Sequence, residues 1–123
     1  MRAMVVDDAT TVRMFHRAAL EAVGFVVEDA MNGAEALERA LMQPPDLMVV
    51  DVNMPKMDGY ALLRAMRAEP TLEPVPAVMV STESQSQDAH QAYSAGANLY
   101  LIKPVRPDVL ARFGRLLAGA PLT

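Results

Sequence analysis

The chain has 123 residues, enough for one domain and one hydrophobic core. With 52% hydrophobic and 21% charged residues its composition is that of a globular protein, and a net charge of 11 − 15 = −4 argues against non-specific nucleic-acid binding. It has no cysteine, which excludes disulfides and thiolate metal sites and suits the reducing cytoplasm where the chain is expected to work. No apolar run approaches the ~20 residues of a membrane span. The first apolar run begins almost at once, so neither a leader nor membrane association is expected.

In chain order, Ala3-Met4-Val5-Val6 reads as a strand and is followed by Asp7-Asp8. A helix is expected over Thr10–Val23, with Val12, Phe15, Ala19 and Val23 gathered on its apolar side. After Gly24 comes a second strand, Phe25-Val26-Val27, then a helix over Asn32–Gln43 with Ala34, Leu37 and Leu41 together. Asn32 and Glu35 read as its capping pair. Beyond Pro44-Pro45 lies the strand Leu47-Met48-Val49-Val50, ending in Asp51, and a helix over Gly59–Ala68. Pro70 and Pro74 precede the strand Ala77-Val78-Met79-Val80, which ends in Ser81. The fourth helix, Ser84–Ala95, has Ser84 and Gln87 as a capping pair and stops at Gly96. Leu99-Tyr100-Leu101-Ile102 is the fifth strand and leads into Lys103-Pro104. Pro107 suits the first turn of a last helix running to Ala118. Residues 1–118 are thus expected to form the domain, and 119–123 a loose tail.

Apolar runs without polar alternation are what a sheet buried on both faces requires. Five β-α units therefore predict a parallel α/β sheet with helices on both sides. In such sheets ligands sit beyond the carboxyl ends of the strands. Those ends carry Asp7-Asp8, Asp51, Ser81 and Lys103. Three carboxylates in one crevice repel one another unless a hard cation such as Mg²⁺ lies among them. A carboxylate can also attack phosphorus to give an aspartyl-phosphate, with a lysine and a hydroxyl to receive the phosphoryl oxygens. Taken singly, the acids read as turn or cap residues, Ser81 as an end cap and Lys103 as a solvated charge. Only 2 of the 11 basic residues are lysines, however, and one stands at this strand end.

These residues carry a resemblance. Val5-Val6-Asp7-Asp8, Asp51-Val52-Asn53-Met54-Pro55-Lys56-Met57-Asp58-Gly59, Val80-Ser81, Ala95-Gly96-Ala97 and Lys103-Pro104 together resemble the receiver domain of response regulators, in its single-domain CheY-like form. The resemblance covers essentially the whole chain. It implies a doubly wound flavodoxin-like (βα)5 fold with strand order 2-1-3-4-5. It further implies Asp51 as phosphoacceptor, and Asp7, Asp8, Asp51 and the Asn53 backbone carbonyl as Mg²⁺ ligands. Ser81 and Lys103 would be the phosphate-contacting groups. The bond before Pro104 would be cis, and Tyr100 would be the aromatic switch. The donor would be a histidine kinase or a phosphotransfer protein, and the output a downstream partner bound through the fourth helix, fifth strand and fifth helix. The chain would act as a monomer or a phosphorylation-dependent dimer, switching on itself rather than turning over a separate substrate.

Departures from the family pattern are Thr82, larger than usual, Arg106 in place of a capping residue, and Gly114 where an aliphatic is common. Competing readings are a haloacid-dehalogenase phosphatase, disfavoured by Asn53 where its second Asp would stand, and a flavodoxin-like cofactor binder, disfavoured by the lack of a phosphate loop after the first strand. A pseudo-receiver that only binds partners, or a receiver cut from a larger regulator, stays open. Tyr93, Tyr100 and Phe113 all fall on the expected output elements. Phe113 has two settings: inward with Leu110 and Leu117, or outward beside Tyr93 and Tyr100 while Leu110, Gly114 and Leu117 face in.

Overall fold

The computed structural model describes residues 1–119. Ten elements alternate: β1 (Arg2–Val6), α1 (Thr10–Glu21), β2 (Val26–Ala30), α2 (Gly33–Met42), β3 (Leu47–Asp51), α3 (Gly59–Ala68), β4 (Ala77–Ser81), α4 (Ser86–Ala95), β5 (Leu99–Ile102) and α5 (Pro107–Ala118). The five strands form one parallel sheet in the order β2-β1-β3-β4-β5. This is the expected flavodoxin-like arrangement. Of the expected loose tail, residues 120–123 lie outside the described residues, and Gly119 is the left-handed C-cap of α5, with φ 78°.

Strand residues alternate between two cores. Met4, Val6, Met48, Val50 and Met79 pack with Leu62, Leu63 and Met66 of α3 and Ala92 of α4. Ala3, Val5, Val49, Val78 and Val80 pack with Leu20 of α1 and Leu110 of α5. Burial on both faces is why the three central strands show no polar alternation. β5 lies at the sheet edge and is only partly covered.

Several sequence expectations need correction. β2 runs later than expected, to Ala30, and Val26 at its start is 68% exposed, although Ala30 on the same side is buried. On α1 the buried residues are Arg13, His16, Ala19 and Leu20, while Phe15 is exposed. On α2 the buried set is Gly33, Ala36 and Ala40, and Leu41 is exposed. In both helices the buried face is rotated from the apolar one: α1 turns in Arg13, which bonds the Asp7 carbonyl and Asp29, and α2 turns in its small residues Ala36 and Ala40. α4 starts at Ser86, so Ser84 and Gln87 do not cap it. Gln85 and Asp88 form the capping box instead. The Asn32–Glu35 pair forms as expected, with the Glu35 amide donating to Asn32 Oδ1 at 2.8 Å. α5 has no side-chain cap, and Arg106 pairs with Asp108.

The register of α5 is the outward one. Leu110 and Gly114 are buried, and Phe113 is 38% exposed. A Cβ at Gly114 would lie 3.1 Å from both Leu20 Cδ2 and Leu47 Cδ2. Those leucines fill the space above Gly114, and Phe113 is not needed there. Gly114→Val should therefore overpack the α1–α5 seam and cost about 1–3 kcal/mol. Phe113→Ser should cost less than about 1 kcal/mol, as for a surface change. Urea unfolding of both variants checks the pair, and the reverse ranking would contradict the register.

Candidate functional site

The sheet register assembles the site. β1 pairs with β3 at Val6↔Val50, so Asp7 and Asp51 emerge side by side, each one residue further on. Asp51 is opposite Val80, which puts Ser81 on the next strand end, and Ser81 pairs with Ile102, just before Lys103. The four groups that the sequence placed after separate strands thus meet at one edge. Ligand oxygens of Asp7, Asp8 and Asp51 all lie within 4.8 Å of one another. Asp7 and Asp51 are buried and Asp8 is exposed.

Lys103 spans this cluster. Its Nζ donates to Asp51 Oδ1 at 2.8 Å and to Asp7 Oδ2 at 2.9 Å. The other Asp7 oxygen, Oδ1, accepts from the Ala9 amide at 2.9 Å. Both Asp7 oxygens therefore have partners within the protein, whereas among the described residues no hydrogen bond fixes the exposed Asp8 carboxylate. Burial pushes the Asp51 carboxyl above its ordinary 3.8, and the neighbouring Asp7 and Asp8 add to that against the pull of Lys103. Burial alone would lower the Lys103 ammonium, but its bonds to Asp51 and Asp7 outweigh this and hold it above 10.5. The bond from Lys103 to Pro104 is cis.

The β3–α3 loop brings the backbone close to Asp51. Lys56 takes the left-handed conformation at φ 66°, and the Gly59 amide donates to the Val52 carbonyl at 2.9 Å. A Cβ on Gly59 would strike the Asp51 carbonyl oxygen, so only glycine fits where α3 begins. Asp58 then caps α3 through the Ala61 amide at 2.9 Å. Asn53 lies exposed in this loop, two residues past Asp51.

A run of hydrogen bonds leads away from Ser81. Its Oγ accepts from the Glu83 amide at 3.1 Å, and the Glu83 carbonyl accepts from the Tyr100 hydroxyl at 2.7 Å. The Tyr100 amide in turn donates to the Tyr93 hydroxyl on α4 at 3.2 Å. The Tyr100 ring packs against the α3–α4 core, while Tyr93, Ile102, Phe113 and Leu116 are exposed.

Two buried polar residues of α1 near the site escape a reading by apolar periodicity. Arg13 donates to the Asp7 carbonyl at 2.8 Å. His16 is 2% exposed with Nδ1 unpartnered, and burial lowers its pKa, as does nearby Lys103 against the pull of Asp7. Counting back from Leu20 at helical spacing, through His16 to Arg13, would have found both. His16, Phe15, Thr82, Lys103 and Pro104 help line a cavity of about 430 Å³ beside the site.

Residues 3–113 match the response regulator receiver domain. The chain belongs to this family. It is 39% identical over 117 residues to a transcriptional regulatory protein, PrrA, of Mycobacterium leprae, covering 94% of this chain and 49% of that protein. It is 34% identical over 112 residues to chemotaxis protein CheY1 of Helicobacter pylori, covering 89% and 90% of the two. The receiver domain of a Pseudomonas aeruginosa sensor histidine kinase superposes with a TM-score of 0.89 at 27% identity, covering 97% and 98% of the two chains. That domain holds a magnesium ion in its active-site cleft. The receiver spans only 9% to 49% of the first curated relatives. Among the described residues no helix is long and apolar enough to cross a membrane.

The raised Asp51 carboxyl has a consequence for stability. The folded chain holds more protons than the unfolded one between pH 3.8 and the raised value, so this group's contribution falls as pH rises through that window. Asp51→Asn, which cannot ionise, should be more stable than the parent at neutral pH, and its advantage should shrink as pH falls towards 3.8. Urea midpoints of metal-free protein across that range measure this, and a constant advantage would show that Asp51 is not raised.

Proposed function

We propose that this receiver domain, residues 1–118, is a phosphorylation switch that takes a phosphoryl group onto Asp51 from the phosphohistidine of a histidine kinase or phosphotransfer protein. The observation that carries the reading is the Lys103 ammonium bridging Asp7 and Asp51 at adjacent strand ends, with Ser81 on the next. A buried carboxylate with a lysine already on it is a nucleophile whose product charge has a receiver in place.

The carboxylates fit Mg²⁺. The cluster offers hard oxygens only, and Asp8 is exposed, so a cation could keep some of its waters. Asp7, Asp8, Asp51 and the Asn53 carbonyl would hold it, Asp7 being already oriented by Lys103 and the Ala9 amide. Bound there, Mg²⁺ would neutralise the acids and polarise the phosphoryl oxygens.

In the transfer, an Asp51 oxygen forms a bond to phosphorus as the P–N bond to the donor imidazole breaks, and the electron pair leaves with that imidazole. Lys103 and the Ser81 hydroxyl bond the phosphoryl oxygens. Water later cleaves the acyl-phosphate and restores Asp51, so the chain acts on itself and turns over no separate substrate. Drawing the Ser81 hydroxyl onto the phosphoryl group loosens its bond with the Glu83 amide, and Glu83 also holds Tyr100. The change reaches the face of α4, β5 and α5, where Tyr93, Ile102, Phe113 and Leu116 are exposed. Exposed apolar side chains on these elements suit a protein partner or a second copy of the chain. The net charge of −4 speaks against nucleic acid, and the lack of cysteine suits a cytoplasmic site of action.

Acetyl phosphate with Mg²⁺ should label the chain at one site, and Asp51→Asn should abolish labelling, because an amide is not a nucleophile here. Omitting Mg²⁺ should reduce it strongly. Intact-mass measurement reads both. Equal labelling of the Asp51→Asn variant would move the acceptor elsewhere, and a wild-type chain that takes no label would favour a pseudo-receiver.

A further inference from the structure

Arg13 is 9% exposed, and a buried guanidinium needs both a charge partner and a use for its donors. Its Nη1 donates to the Asp7 backbone carbonyl at 2.8 Å. Its Nε donates to Asp29 Oδ2 at 3.2 Å, and Nη2 lies 3.4 Å from Thr10 Oγ1. Asp29 stands next to the end of β2, opposite Val5. It is held by two further arginines: Arg17 Nη1 at 3.4 Å from its Oδ1, and Arg39 Nη1 at 2.7 Å from its carbonyl.

The carbonyl that Arg13 grips belongs to the peptide joining Asp7 to Asp8. Asp7 is fixed by other bonds as well: its amide donates to the Ala30 carbonyl at 3.1 Å, and Lys103 and Ala9 hold its carboxylate. Among the described residues nothing holds the Asp8 side chain in this way. The direction in which it leaves the backbone is set by the two peptides that flank it: the Ala9 amide's bond to Asp7 orients the one after, and Arg13 orients the one before. A lysine could supply the charge but not the fork that grips a carbonyl and a carboxylate at once.

We propose that Arg13, oriented by Asp29, is a positioning residue that presets Asp8 for a divalent cation. Arg13 itself touches neither the cation nor the phosphoryl group. The inference rests on reading the acidic cluster as a Mg²⁺ site, and its test separates the two.

The probe is Mg²⁺ alone, titrated calorimetrically into the full chain without phosphodonor, alongside urea unfolding of the metal-free protein. Arg13→Lys keeps the positive charge and Asp29→Ala keeps the arginine, so neither removes a carboxylate of the cluster. Each should weaken Mg²⁺ binding, Arg13→Lys by about 10-fold or more, as for partners that orient metal ligands. The urea midpoint should fall as well, since each change leaves a buried polar group short of a partner, so Mg²⁺ is titrated where unfolding shows the variant fully folded. The double variant should bind no more weakly than Arg13→Lys, because both changes break one chain of contacts. If Arg13→Lys does not fold, Asp29→Ala decides alone. A folded variant that binds Mg²⁺ within about twofold of wild type, or losses that multiply in the double variant, would overturn the role of Arg13. A wild-type chain with no Mg²⁺ affinity would instead overturn the metal site itself.

Discussion

Everything at this site follows from keeping like charges close together without a solvent shell. Asp7 and Asp51 end neighbouring strands whose register gives them no freedom to move apart. At such separations their mutual repulsion is on the order of a few kcal/mol at an effective dielectric of about 20. Lys103 offsets it by lying between them, at 2.9 Å and 2.8 Å. A parallel sheet, with all its strands ending on the same side, is the architecture that lets residues 7, 51, 81 and 103 reach one place. The two cores beneath serve that end by holding the strand ends level.

The same geometry links Ser81 at the charged pocket to Tyr100 on β5 through one residue. Glu83 contributes its amide to Ser81 and its carbonyl to Tyr100, so one residue of the β4–α4 loop faces both ways. On the proposed reading, a small shift at the hydroxyl would change what the loop can offer the tyrosine. Packed interiors respond to such demands by exchanging one arrangement for another, because they are too dense to deform smoothly.

How much of this could be read from the sequence depended on the kind of signal. The ends of β1, β3, β4 and β5 are plain, since unbroken apolar runs close on Asp7, Asp51, Ser81 and Lys103, whereas β2 runs on through the polar Glu28 and Asp29 to Ala30. The helix faces are not. Apolar periodicity assigned Phe15 and Leu41 inward, yet Arg13, His16 and Ala40 take those places. A buried arginine satisfied by a backbone carbonyl leaves no mark in a hydrophobic pattern. The start of α4 was misplaced because Ser84 looked a better cap than Gln85, whose side chain works only together with Asp88. The setting of Phe113 turned on Gly114, whose need for close approach to Leu20 and Leu47 is visible only in three dimensions.

The bond from the Tyr100 amide to the Tyr93 hydroxyl has one more implication. β5 ends the sheet, and an edge strand's unpaired amides invite another strand to add alongside. Here α4 lends a phenol to one of those amides. A protein that tried to join this edge by backbone pairing would first have to displace Tyr93. Extension of the sheet at this edge is accordingly opposed by a side chain of the neighbouring helix.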